Sequence, residues 1–179
     1  MYILSQILVG IADIFCIMSM LSTKKIKIVL LLVLSTIFLA GQYICLGGWT
    51  GVSLAVVEIV FLISMYLLES RGKEKYNVYL SIATIIASLV LSILTWISWI
   101  TILPMVAMII YITAMLFTNV IIVKLGTFIR LILNATYMFL LKSYWGAGLT
   151  IVILIFTIIG IVNDCKNKNG FRRKNNERN

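Results

Sequence analysis

The chain has 179 residues, of which 62% are hydrophobic and only 12% charged, with a mean hydropathy of +1.11. A soluble domain carries about 25% charged residues, so too little polar surface is available here to face water, and most of the chain must face lipid. The net charge of +9 does not point to nucleic acid, because the basic residues sit in short clusters between apolar runs and in a tail, where anionic lipid headgroups attract them.

A membrane span needs about 20 mostly apolar residues. The first runs from Ile3 to Leu21 and stops at Lys24, Lys25 and Lys27. It has no basic n-region and is too long for the core of a cleaved signal, so it reads as a true span. The second runs from Ile28 to Leu46 and ends at Gly47-Gly48-Trp49-Thr50-Gly51. The third runs from Val52 to Leu68 and ends at the charged stretch Glu69 to Lys75. From Val78 to Phe117 the sequence is one apolar block; as a single helix it would be roughly 60 Å long, twice the hydrocarbon thickness. It must turn, and Trp96-Ile97-Ser98-Trp99 is the natural corner because Trp belongs at the interface. That gives spans four and five. Span six runs from Ile121 to Leu141 and span seven from Leu149 to Val162. The remainder, rich in Asn, Lys and Arg, reads as a disordered basic tail.

The expected architecture is therefore an all-α membrane protein of seven transmembrane helices. Lys24, Lys25, Lys27, Arg71, Lys73, Lys75, Lys124 and the tail fall on one side and Lys142 alone on the other. The positive-inside rule places the rich side in the cytoplasm and the N-terminus outside. Trp49, Trp96, Trp99 and Trp145 all fall at the outer ends.

An internal repeat is also legible. Ile7–Ile26 laid on Ile102–Ile121 is identical at nine of twenty positions, including Ala12 on Ala107, Met20 on Met115 and Thr23 on Thr118. Spans one to three would then repeat as five to seven, with span four as a linker. The divisions are 1–75, a linker helix at 76–98, 99–165, and a tail at 166–179. An odd linker makes the two triplets parallel, an arrangement known in transporters whose substrate lies between the repeats near the midplane.

Leu8-Val9-Gly10, Ser19 with the Lys cluster, Gln42-Tyr43-Ile44-Cys45-Leu46-Gly47-Gly48-Trp49-Thr50-Gly51 and Ser143-Tyr144-Trp145-Gly146 together resemble the YgjV family of bacterial inner-membrane proteins. The resemblance covers most of the chain. It implies an inner-membrane location and a layout similar to the SWEET and PQ-loop proteins. The chain departs from those in having a single proline, Pro104, in having Gly41 before Gln42, and in Met138 after the Tyr of span six. No substrate role carries over residue by residue.

Charges inside a span cost a few kcal/mol each and usually mark function or a partner. Three sit near mid-span: Asp13, Glu58 and Arg130. Their depths are comparable, so Arg130 should reach one of the carboxylates and leave the other without a cation. In span six, Lys124, Thr127, Arg130, Asn134 and Tyr137 recur at helical spacing and form one polar face. Such a face looks at a cavity or at other polar groups, not at lipid. Ser35 and Gln42 share a face of span two, and Thr150 and Thr157 one of span seven, as packing groups. Ala83 and Ala87, with Ser88 and Ser92, read as a close helix contact. The candidate binding or charge network is therefore Asp13, Gln42, Glu58, Arg130, Asn134 and Tyr137.

There is no His, and Cys16, Cys45 and Cys165 are scattered, which suggests neither a metal site nor a disulfide framework. No nucleophile–base set or phosphate loop is present, so neither an enzyme nor a cofactor is expected. The leading expectation is a small-solute transporter or carrier with a midplane site. The other is a non-transporting accessory, immunity or scaffold protein whose polar face docks a partner. The expected partners are the lipid bilayer, a small polar solute and a second copy of the chain. Reporter fusions after Thr50, Ser98 and Tyr144 should report outside, and fusions after Lys73 and Lys168 inside. A cytoplasmic report from Ser98 would remove the corner at Trp96–Trp99 and the seven-span count with it.

Overall fold

A computed structural model of the chain describes residues 2–46, 49–94, 99, 102–140 and 144–176. Most of the corner at Trp96–Trp99, with Gly47, Gly48 and Lys142, lies outside the described residues. The described residues form seven α-helices, a short 3-10 turn and no strand. They are α1 (Tyr2–Leu21), α2 (Lys25–Leu46), α3 (Trp49–Ser70), α4 (Asn77–Leu94), α5 (Ile102–Met115), α6 (Val120–Leu140) and α7 (Tyr144–Asn176), with the 3-10 turn at Glu74–Tyr76. All but α5 are long and apolar enough to cross a membrane. With 14 residues, α5 spans about 21 Å at the helical rise.

The helix boundaries follow local chemistry. α3 ends where Gly72 adopts a positive φ of 66°, a left-handed conformation that glycine reaches without a Cβ clash. There the Lys73 amide donates to the Leu68 carbonyl at 2.9 Å. α6 starts behind Asn119, whose side-chain oxygen accepts from the Ile121 amide at 3.1 Å and caps an otherwise unpaired donor. Pro104 falls in the first turn of α5, where its missing N–H has no intrahelical partner to lose.

Several boundaries differ from the sequence reading. α2 starts at Lys25, so two of the lysines assigned to a loop occupy its first turn. α3 takes in Trp49, Thr50 and Gly51. A Cβ on Gly51 would stand 2.8 Å from the Tyr43 ring, so glycine is there to admit the aromatic and not to break the helix. α7 runs on to Asn176, carrying the helix through most of the stretch expected to lack structure. Lys and Arg are good helix formers.

Each helix packs on the next in sequence, and α1 also packs on α7, so the bundle closes into a ring. Small residues set two of the seams. A Cβ on Gly160 of α7 would collide with the Met20 carbonyl of α1, and one on Gly126 of α6 with the Ala114 side chain of α5. Close backbone approach through small residues is how helices associate where no hydrophobic driving force exists. The apolar core inside the ring includes Met20, Ile28, Phe61, Leu62, Met65, Ile112, Met115 and Val123.

α4 is built the other way round. Its buried residues are Asn77, Ser81, Thr84, Ser88 and Ser92, on one face at helical spacing. Its exposed residues include Ile82, Ile86, Val90 and Ile93, which in a bilayer meet acyl chains. The pair Ser88 and Ser92 is thus part of a polar stripe running the length of the helix.

Candidate functional site

The polar face read from span six turns inward. Lys124 and Thr127 are fully buried, and Arg130, Asn134 and Tyr137 are half-buried. Each answers the desolvation problem in its own way. The Thr127 hydroxyl donates to the Val123 carbonyl at 2.9 Å, within its own helix. Lys124, with no exposed surface, donates to Asp164 of α7 at 2.7 Å and more distantly to the Gly160 carbonyl at 3.4 Å.

Arg130 forms the centre. Its two terminal nitrogens donate to the two Glu58 oxygens, Nη1 to Oε1 at 2.5 Å and Nη2 to Oε2 at 2.8 Å. This is a bidentate fork, the strongest geometry an Arg–carboxylate pair can take. The two side chains are 16% and 7% exposed, and they join α6 to α3, which are not neighbours around the ring. The guanidinium also lies 4.2 Å from the centroid of the Tyr111 ring of α5, a cation–π contact that is worth more where water is excluded. Three helices, α3, α5 and α6, therefore meet at one ion pair.

Of the sequence-predicted residues, the structure brings Glu58 and Arg130 together. Asn134 and Tyr137 continue along the same α6 face beyond Arg130. Asp13 and Gln42 are half-buried on α1 and α2, each with a buried side-chain oxygen lacking a hydrogen-bond partner. Among the described residues, Asp13 is thus the mid-span carboxylate left without a cation. Oxygens without partners also occur at Gln6 of α1, at Asn77, Ser81, Ser88 and Ser92 of α4, and at the Tyr111 hydroxyl. Ser35, Thr36 and Thr157 are buried as packing groups, with Thr36 and Thr157 bonded to their own helices.

Sequence reasoning missed Asp164 and Tyr111. Asp164 sits beside Cys165 and Lys166, where a charge looks like the start of a tail. Its signal was Lys124, a cation inside a span that demanded a carboxylate on an adjacent helix. Tyr111 is one aromatic among many apolar residues, and no spacing distinguishes it. The α4 stripe had a signal in the steps from Asn77 through Ser81, Thr84 and Ser88 to Ser92. Among the described residues no cluster of His, Cys, Asp or Glu is arranged to hold a metal.

The model of the Imp-YgjV family, described as a bacterial inner membrane protein, matches residues 3–168. No curated protein and no solved structure matches the chain.

Breaking a buried pair by removing one partner strands the other and costs about 3–5 kcal/mol, whereas replacing both is close to neutral. Lys124→Met should therefore lower the unfolding midpoint in detergent by many degrees. Adding Asp164→Asn to Lys124→Met should recover most of the loss. A double variant no more stable than the single one would show that the two side chains are not paired.

With nearly its whole length matched, the chain belongs to the Imp-YgjV family and is a multi-pass protein of the bacterial inner membrane.

Proposed function

We propose that this inner-membrane protein is a non-enzymatic carrier for a small polar solute, which it binds inside the ring beside Arg130. The observation that carries the reading is the distribution of polarity. The bundle presents Ile, Leu and Val outward and encloses Glu58, Arg130, Asp13, Gln42 and the α4 hydroxyls. Intramembrane ionisable groups of this kind mark solute or ion paths. A solute with an anionic or hydrogen-bonding group competes with Glu58 for the guanidinium fork. Asn134 and Tyr137 line its approach, and Asp13 and Gln42 offer acceptors on the facing helices.

We also read the sequence as an internal duplication, and that reading supports the same function. The register that sets Ile7 on Ile102 also sets Cys16 on Tyr111 and Glu69 on Asp164. Glu69, at the end of α3, pairs with Lys25 at the start of α2 at 2.6 Å. Asp164, near the end of the α7 span, pairs with Lys124 near the start of α6; Lys124 lies one turn beyond the position matching Lys25. Two three-helix units, each locked by one ion pair between its second and third helices, fit a carrier whose site lies between repeats. In this reading the ends carrying the ion pairs face the cytoplasm.

The bidentate closure of Arg130 on Glu58 favours a second reading, a scaffold in which the pair locks the bundle. Uptake by proteoliposomes of labelled sugars, amino acids and short carboxylates separates the two. The carrier reading expects at least one to enter faster than into protein-free liposomes. That flux should fall at least about tenfold in Arg130→Ala, the scale expected when a charged hydrogen bond to the solute is lost. It should survive in part in Arg130→Lys, because an ammonium keeps the charge without the planar fork. No uptake of any probe by the wild type, from a folded protein, would leave the scaffold reading in front.

A further inference from the structure

At the end of the bundle that carries Lys25 and Glu69, well away from Arg130, a groove of about 520 Å³ opens between the start of α2, the end of α3 and Thr118 in the turn before α6. Its polar end holds Lys24, Lys25 and Lys27. Lys25 is neutralised by Glu69 at 2.6 Å. Lys24 and Lys27 are exposed and make no ion pair among the described residues. The groove thus keeps an excess of two positive charges among its lining residues.

Its other wall is apolar. Ile26 and Leu30, one turn apart on α2, line the groove and are 45% and 47% exposed. Tyr66 of α3 adds a half-buried ring, an amphipathic side chain suited to the boundary between headgroups and chains. Unpaired cations beside exposed aliphatic side chains match an amphiphile, not a soluble anion. A free phosphate would meet the lysines and leave the Ile26–Leu30 track unused.

We propose that this groove is a binding site for an acidic phospholipid, whose phosphate lies between Lys24 and Lys27 and whose acyl chain follows Ile26 and Leu30. The site is separate from the proposed solute site and stands whether or not the protein transports. Lys25, held by Glu69, ties α2 to α3 and fixes the floor. Glu69 also accepts from Asn77 of α4 at 3.4 Å, so an occupied groove would brace the junction of three helices.

The test is titration of the full-length, delipidated protein with phosphatidylglycerol or phosphatidylcholine, read as bound lipid in native mass spectra. Phosphatidylglycerol should bind in preference. Each basic residue near an anionic surface contributes about fivefold in affinity, so Lys24→Gln with Lys27→Gln should weaken it about 30-fold, the single variants falling between. Lys73→Gln with Lys75→Gln removes the same charge from the turn after α3, outside the groove, and should leave the affinity unchanged. Equal weakening in both double variants would overturn the proposal in favour of diffuse surface charge. Should the groove double variant misfold, the two single variants decide by the same criterion. Inorganic phosphate is the second arm: it should not displace the lipid, and displacement at low millimolar concentration would assign the groove to a soluble anion.

Discussion

A bilayer offers no hydrogen bonds, so a charge drawn into it is costly unless it finds a partner inside the protein. The Arg130–Glu58 fork is where that constraint is met at the greatest depth. An Arg or an acidic residue at the centre of a span costs about 2.5–3.5 kcal/mol each on insertion scales, and neither cost is recovered until the two helices stand at the right distance and rotation. The pair joins α3 to α6 across the ring, so the helices between them are constrained as well. Tyr111 on α5 completes the arrangement by giving the guanidinium face an electron-rich surface.

The other two ion pairs act differently. Lys25–Glu69 and Lys124–Asp164 each join helices adjacent in the chain, near the ends of their apolar spans. They set the tilt and register of neighbours, whereas Arg130–Glu58 holds opposite sides of the bundle together. Gly160 against Met20 and Gly126 against Ala114 add close approaches at two other seams, α7 on α1 and α6 on α5.

Much of this was legible before any coordinates. The apolar runs placed all seven helices, because in lipid a long apolar run has few alternatives to a helix. The stripe from Lys124 to Tyr137 identified the inward face of α6. What the sequence left open was choice between partners. Asp13 and Glu58 lie at similar depth, and which one meets Arg130 depends on helix rotation and on the order of helices around the ring. Asp164 escaped notice because it borders a basic tail, and Tyr111 because an aromatic residue in an apolar helix carries no mark of its neighbours. α4 was read as a close contact from Ala83, Ala87, Ser88 and Ser92; Ala83 is exposed, and the buried face from Asn77 to Ser92 is polar throughout. Helix boundaries erred where chemistry looked like a loop: the lysines at the start of α2 can reach water from a helical first turn, and Gly51 admits the Tyr43 ring.

The central claim is that the fold is organised around an ion pair spanning the bundle from α3 to α6. Charge exchange tests it most directly. Glu58→Arg alone and Arg130→Glu alone each place two like charges against one another in a water-poor interior, and each should abolish recovery of monodisperse protein from membranes. The exchanged double variant restores opposite charges in contact, and the account predicts that it returns to a folded, monodisperse state with a measurable unfolding midpoint. If both single variants fold as well as the wild type, or if the exchanged variant is no better than either, the pair does not hold the bundle together and the account is wrong.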